Sequence, residues 1–302
     1  MIKLIIVLLL ASFSYGTGNC QIRLIREANT EILRDIEFMK TVQMKRIISL
    51  RFDIIDGKQE PDSTIVSEKI YDAVNGSYFF SEFYPDFSKR EIKLDLSGNI
   101  ARQIIYNKTG EIASSLAYTC DADGRTLTRK YYFGNSLAFT ETYSYEGNAL
   151  VNMTASDTAG KTQNRTIFKS DNGSRIIKEI KYGNSDSVDF LYEYAYDERG
   201  NCIEDRLSLG MYELASVSRF KYDLNDRLTE STVYTREGLL ISSEIFAYYD
   251  NGLLKKIQKT ASDGKIICIR EFTLTDGLIT ECRVTDNEEE SEYMLKYYYF
   301  PE

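Results

Sequence analysis

The sequence predicts an all-β protein. It reads as an antiparallel array of about eight to ten consecutive β-hairpins, each ~26 residues long, forming one long twisted or curled sheet behind a short N-terminal helix. Three observations predict it. First, the 14 glycines after Gly76 fall on two interleaved series. One runs Gly98, Gly124, Gly147, Gly173, Gly200, Gly252 and Gly277, with Asp226 in its single gap. The other runs Gly110, Gly134, Gly160, Gly183, Gly210, Gly238 and Gly264 and closes with Asn287. Second, proline occurs only at 61, 85 and 301, and proline is excluded from central strands because it cannot donate to the ladder. Third, the runs between the glycines are rich in Leu, Ile, Thr and Tyr, which suit a pleated surface.

The elements follow in order. Met1-Ile2-Lys3, the apolar run Leu4 to Leu10 and small residues up to Gly16 make residues 1–16 a secretory signal peptide. The run is too short to span a membrane, which takes ~20 apolar residues, and no later segment is apolar enough. Cys20 offers a lipid attachment site as an alternative, although Asn19 departs from the small residue such a site wants before the cysteine. In the N-terminal segment 17–45, Ile32, Leu33, Ile36, Met39 and Val42 share one face at helical spacing, with Asn29 or Thr30 as cap. This helix is expected to cover the first edge of the sheet. Residues 46–302 form the hairpin domain, regular from about residue 90, with irregular early turns at Gly57, Gly76 and Pro85-Asp86.

Within the regular region a turn recurs every 12 or 13 residues. Removing ~4 for the turn leaves ~8 for a strand, about 27 Å of chain. The first-series turns carry an aromatic pair and an acidic residue, as in Tyr194-Ala195-Tyr196-Asp197-Glu198-Arg199-Gly200, Phe220-Lys221-Tyr222-Asp223 and Tyr248-Tyr249-Asp250-Asn251-Gly252. Asp and Asn bond the nearby backbone and glycine supplies positive φ, the ingredients of a tight turn.

This signature resembles the YD repeat of the Rhs-type family, and the chain is similar to a small exported bacterial member. Tyr194 to Ile203 matches best; Tyr222-Asp223 to Leu228 has Asp226 in place of glycine, and Tyr248 to Leu254 is one residue short in its turn. The resemblance implies that each repeat is a hairpin and that the hairpins coil into a spiralling sheet. Large members enclose a toxic region within a shell. This chain is expected to be too short for a closed shell, so the toxin role is not carried over. A four-bladed propeller built from paired repeats is the alternative architecture.

Composition narrows the chemistry. The chain has no His, which removes catalytic triads, Cys-His pairs and imidazole metal ligands. Its net charge of −9 makes it a poor partner for nucleic acid. Cys120, Cys202, Cys268 and Cys282 lie far apart, without a C-x-x-C pair, and read as buried thiols. Asp121-x-Asp123-Gly124 lacks the further ligands of a calcium loop and is explained by turn chemistry, so neither metal nor cofactor is expected. The acidic run 286–292 reads as a solvated turn. Asp62-Ser63-Thr64, Asp157-Thr158-Ala159 and Asp186-Ser187-Val188 resemble acceptor sites of a bacterial O-glycosylation system.

The expected function is non-catalytic: an exported cell-envelope protein, periplasmic, outer-membrane-associated or on the cell surface, acting as a binding or scaffolding module. Its expected partner is a glycan or another envelope protein. Tyr194, Tyr196, Tyr222, Tyr248 and Tyr249 are the candidate stacking residues of a carbohydrate-binding alternative. A glycoside hydrolase using a pair of carboxylates is the second alternative, since that chemistry needs no His.

Overall fold

The computed structural model describes residues 36, 39–40, 44–72, 74, 77–82, 88–95, 97–183 and 187–301. The expected signal peptide, Cys20 and most of the expected helix lie outside the described residues. Apart from Ile36, Met39 and Lys40, which are helical, the described elements are strands. The first seven are β1 (Met44–Ile55), β2 (Lys58–Gln59), β3 (Thr64–Asp72), β4 (Ser77–Glu82), β5 (Ser88–Leu94), β6 (Ile100–Tyr106) and β7 (Ile112–Cys120). Next come β8 (Thr126–Phe133), β9 (Ser136–Glu146), β10 (Ala149–Asp157), β11 (Thr162–Ser170), β12 (Ile176–Tyr182), β13 (Val188–Tyr196) and β14 (Cys202–Leu209). The last are β15 (Glu213–Tyr222), β16 (Leu228–Thr235), β17 (Leu240–Tyr248), β18 (Leu254–Ala261), β19 (Ile266–Thr275), β20 (Leu278–Asp286) and β21 (Ser291–Pro301).

From β3 to β21 each strand pairs antiparallel with the next, and β1 pairs with both β3 and β21. The result is a closed 20-stranded antiparallel barrel, with the short β2 attached to β1 as an extra strand. This corrects the expectation of one long twisted or curled sheet covered at its edge by a helix. The edge that the helix was to protect does not exist: β1 meets β21 from Met44 opposite Pro301 to Asp53 opposite Tyr293. Of the segment expected to be helical, Ile36 and Met39 are described and buried, in one cluster with Ile47, Tyr71, Tyr78 and Ile92. They sit against the inside of the barrel wall.

Closure has a local cause. The register slips beside the first-series turns, between Lys93 and Leu94, Thr119 and Cys120, Lys169 and Ser170, Ala195 and Tyr196, Lys221 and Tyr222, and Ala247 and Tyr248. Similar slips recur at the opposite strand ends, for example between Ile105 and Tyr106 and between Val233 and Tyr234. Each bulge bends its strand and increases the local right-handed twist. A bend repeated every hairpin accumulates until the first strand reaches the last, which satisfies both edges.

The turns show how the signature works. Asp197 N–H donates to Asn201 O (2.9 Å) and Gly200 N–H to Asp197 O (3.1 Å). The Asp197 carboxylate accepts from the backbone and side chain of Asn201 (2.8 and 3.1 Å). The fourth residue of the turn has positive φ: +93° at Gly200, and 60° at Asp226, where Asp replaces Gly. In the repeat of Gly173 the positive-φ residue is Ser174 (62°), one place later than the glycine series implies. Glycine marks that turn without occupying its strained position.

Side chains alternate between two faces. One holds the buried residues, from Tyr143, Phe168 and Tyr194 to Phe272 and Val284, and in a closed barrel this face is the interior. The other carries cross-strand ion pairs. Lys178 meets Glu193 (2.7 Å), Glu204 meets Arg206 and Arg219 (2.7 and 2.9 Å), Lys221 meets Glu230 (2.8 Å), Lys256 meets Glu271 (3.0 Å) and Arg283 meets Glu292 (2.6 Å). Each such pair adds little stability, about 0–1 kcal/mol. Their placement matters more, because it puts paired charges on the outer face, which Ile180, Leu191 and Ile245 share.

Two measurements check this architecture. Hydrogen exchange should show the amides of β1 and β21 as slow as those of β13 and β14; fast exchange confined to β1 and β21 would mean an open sheet. Gly200→Val should cost about 1–3 kcal/mol in denaturant unfolding, since a β-branched residue there is strained, whereas Thr142→Val, on an exposed strand position, should stay within about 0.5 kcal/mol.

Candidate functional site

The interior is layered. Tyr118, Tyr143, Phe168, Tyr194, Phe220, Phe246 and Phe272 recur at intervals of 25 or 26 residues, one per hairpin, and all are buried. Ile176, Cys202, Leu228 and Leu254, each 26 residues after the last, fill the spaces near the first-series turns. This end of the interior is tightly packed. Toward the second-series turns packing loosens: Phe190 and Leu209, opposite one another on β13 and β14, are 40% and 45% exposed, and Phe133 at the end of β8 is 70% exposed.

Of the five tyrosines singled out in the sequence, four of which belong to this inner wall, each is already engaged. Tyr194 is buried and its hydroxyl donates to Glu179 (3.1 Å). Tyr196, Tyr222 and Tyr248 are half-buried and donate to the carbonyls of Ile176, Cys202 and Leu228 (2.7, 2.9 and 2.8 Å). Each partner opens the preceding outgoing strand, 20 residues back, so the second tyrosine of the signature ties one hairpin to the one before it. Arg175 lies over the Tyr196 ring (5.1 Å) and Arg227 over the Tyr248 ring (4.9 Å). Tyr249 donates to Phe272 O (2.5 Å), and Lys255 lies 5.5 Å from its ring centre. Tyr194, Tyr196, Tyr222 and Tyr248 lie in one cluster of the inner wall, the last three in equivalent places of successive hairpins.

The same rim carries a second set of ties. Arg125 Nη1 donates to Gly147 O (2.6 Å), Arg199 Nη1 to Asp223 O (3.0 Å) and Asn201 Nδ2 to the Asp226 carboxylate (2.8 Å). The turn carboxylates sit in bonds of their own hairpin. The side-chain bond from Arg175 and the backbone N–H of Arg175 hold Asp171 below the ordinary aspartate range. The backbone N–H of Lys161 does the same for Asp157.

One step from the aromatic layer, toward the looser end, stands a belt of inward polar residues that sequence reasoning missed. Arg129 on β8 faces Glu141 on β9, with nitrogen–oxygen distances of 2.6 and 2.7 Å, and both are buried. Tyr143 donates to the same carboxylate (2.5 Å). Burial pushes the Tyr143 phenol well above its ordinary range, and its neighbour Glu141 adds to the shift. Burial works against the charge of Arg129, but Tyr143 and Glu141 beside it raise its pKa overall. Further round, Glu179 receives Lys181 (3.2 Å) as well as Tyr194. Asp205 and Ser218 are buried opposite one another, and Glu244 and Arg270 continue the belt, half-buried. The signal was present: Glu141, Ser218, Glu244 and Arg270 each stand two residues before a buried aromatic. Against a background of charged residues on the opposite face, that spacing had no meaning until inward and outward were known.

Of the four described cysteines, Cys202 and Cys282 are buried and Cys120 and Cys268 half-buried, and all four are free thiols. Burial pushes the Cys282 thiol up to about 12. Among the described residues no group of three or more Cys, Asp or Glu is arranged to hold a metal ion.

Fold and inner surface together define a closed β-barrel with cross-strand ion pairs on its outer face and a recurring aromatic on its inner one. No family model matches the chain, and no curated protein sequence does. Among solved structures it is similar to part of a TcdB2–TccC3–TEV assembly (TM-score 0.37, 11% identity, covering 84% of this chain), where it spans only 16% of that chain's length. It is similar also to a porin-like protein from Bacteroides uniformis (TM-score 0.35, 10% identity, 85% of this chain and 96% of that one). A third is a putative outer membrane lipoprotein-sorting protein domain from Vibrio parahaemolyticus (TM-score 0.20, 9% identity, 90% and 92%). Likenesses this weak carry no argument about role.

Two substitutions test the site. Tyr222→Phe should cost about 1 kcal/mol, by leaving the Cys202 carbonyl without its hydroxyl donor. Asp171→Asn keeps the turn but removes the charge. The depressed aspartate stabilises the fold above its unfolded pKa, and that contribution disappears as pH falls through the folded value. The stability gap between wild type and Asp171→Asn should therefore shrink as pH falls through that acid range; a constant gap would mean the charge is not involved.

Proposed function

We propose that this is a non-catalytic, exported barrel of the bacterial cell envelope that works in water and binds a ligand on its inner surface. One observation carries the reading: the charges and aromatics are distributed in the reverse sense to a membrane-spanning barrel. Such a barrel needs an outward apolar band about 25 Å tall and a polar lumen. Here the outward positions of adjacent strands hold Lys178, Glu193, Arg206, Glu204, Arg219, Lys221 and Glu230, while the aromatic series points inward. Each outward Lys or Arg at the middle of a bilayer would cost about 2–4 kcal/mol, so an arc with four of them is a surface for water. The signal-like pattern of residues 1–16 supports export. The looser end of the interior, with Phe190 and Leu209 exposed, supports ligand entry there. Among the described residues no helix is long and apolar enough to cross a membrane.

The test is behaviour without detergent. The purified chain should stay monodisperse in buffer, fail to float with liposomes, and enhance the fluorescence of an apolar dye, with Phe190→Ser plus Leu209→Ser weakening that signal. Ion conductance across a planar bilayer, or a requirement for detergent, would sink the proposal.

A further inference from the structure

Among the described residues, Arg270 is a charge of the inner belt with no carboxylate in an ion pair to it. Arg270 projects inward from β19, two residues before the buried Phe272. Directly opposite it stand Ile257 on β18 and Val284 on β20, both buried and apolar. Its charge is felt by the thiols of Cys268 and Cys282 and by the phenols of Tyr293 and Tyr297. None of these is a carboxylate. The acids placed near it by register have other duties. Asp286, opposite Cys268, accepts the backbone N–H groups of Glu288 and Glu289 (3.0 and 3.1 Å) within its own turn. Glu244 stands two strands away on β17, opposite Lys259 in the β17–β18 register. The contrast with Arg129 is direct: that guanidinium is buried and locked to Glu141, whereas Arg270 is only half-buried, so water reaches it.

A guanidinium held among apolar and weakly polar side chains without a counter-ion is unfavourable unless water or a bound anion serves it. Arginine is also the side chain best shaped to take a carboxylate or phosphate by two parallel hydrogen bonds. Beside it Ile257, Phe272, Val284 and Tyr293 form a continuous apolar wall in one cluster. We propose that Arg270 anchors the anionic head of an amphiphilic ligand inside the barrel, with one carboxylate or phosphate on the guanidinium and the apolar tail along this wall. The inference rests on the reading of the interior as a binding surface, and adds the chemical class of what is bound.

The experiment uses the full chain after leader removal and isothermal titration with four twelve-carbon probes: dodecanoate, dodecyl phosphate, dodecyltrimethylammonium and dodecanol, each below its micellar concentration. At least one anion should bind about 10- to 100-fold more tightly than the ammonium and alcohol probes, the range expected of a charge-assisted contact. Whether dodecanoate, dodecyl phosphate or both bind identifies the head. Arg270→Gln should remove that preference and Arg270→Lys should keep much of it. Arg270→Met separates anchoring from structure: without ligand its Tm should equal or exceed that of wild type, because an unpaired inward charge has gone. Should Arg270→Gln fail to fold, the head-group series on wild type and Arg270→Lys still decide the matter. Equal binding of all four probes would overturn the anchor and leave interior binding standing. Binding of none would overturn both. A lowered Tm in Arg270→Met with the anion preference intact would make Arg270 a structural residue.

Discussion

An unpaired strand edge exposes a row of N–H and C=O groups that must find partners, and this protein meets that requirement by pairing its first long strand with its last. Everything else depends on that closure. It converts a chain of hairpins, each in contact only with its neighbours, into a ring in which none of the 20 barrel strands is terminal. It also gives the sheet an inside. Before β1 meets β21 the two faces of the sheet are merely different; afterwards one is enclosed and the other faces outward.

The bulges beside the turns make closure possible, and the turn residues hold the bulges in place. Asp197, Gly200 and Asn201 fix the turn, the register slips between Ala195 and Tyr196, and Tyr196 reaches back to the Ile176 carbonyl of the neighbouring hairpin. The same residues thus define the turn, bend the strand and bind adjacent repeats. The tyrosine excess of the composition is explained by this work. A hydroxyl able to reach a carbonyl exposed by a bulge, on a ring able to fill the barrel wall, is available from no other side chain.

Much of the fold was legible because it is local. A turn needs positive φ and an acceptor within four residues, so Gly and Asp announce it, and the spacing between turns sets strand length. Where a local rule has more than one solution the reading slips: Ser174 rather than Gly173 adopts the positive φ in its turn, and Asp226 does so where no glycine exists. The inner belt was illegible for a different reason. Glu179 and Asp205 are ordinary residues in strands with many acids, and even the place of Glu141, two residues before the periodic Tyr143, marks it as inward only once the aromatic face is known to be enclosed.

The sequence by itself determined the antiparallel strands, their turns, and the periodic aromatic that marks one face. Those are short-range matters, fixed by backbone conformation and by side-chain alternation. Only the tertiary structure decided that the sheet closes, since closure depends on the sum of many small bends and on two strands separated by almost the whole domain. It also decided which charges are enclosed. Arg129 received a carboxylate across one strand pair and Arg270 received apolar neighbours on both sides, a difference set by register between strands and invisible along any one of them.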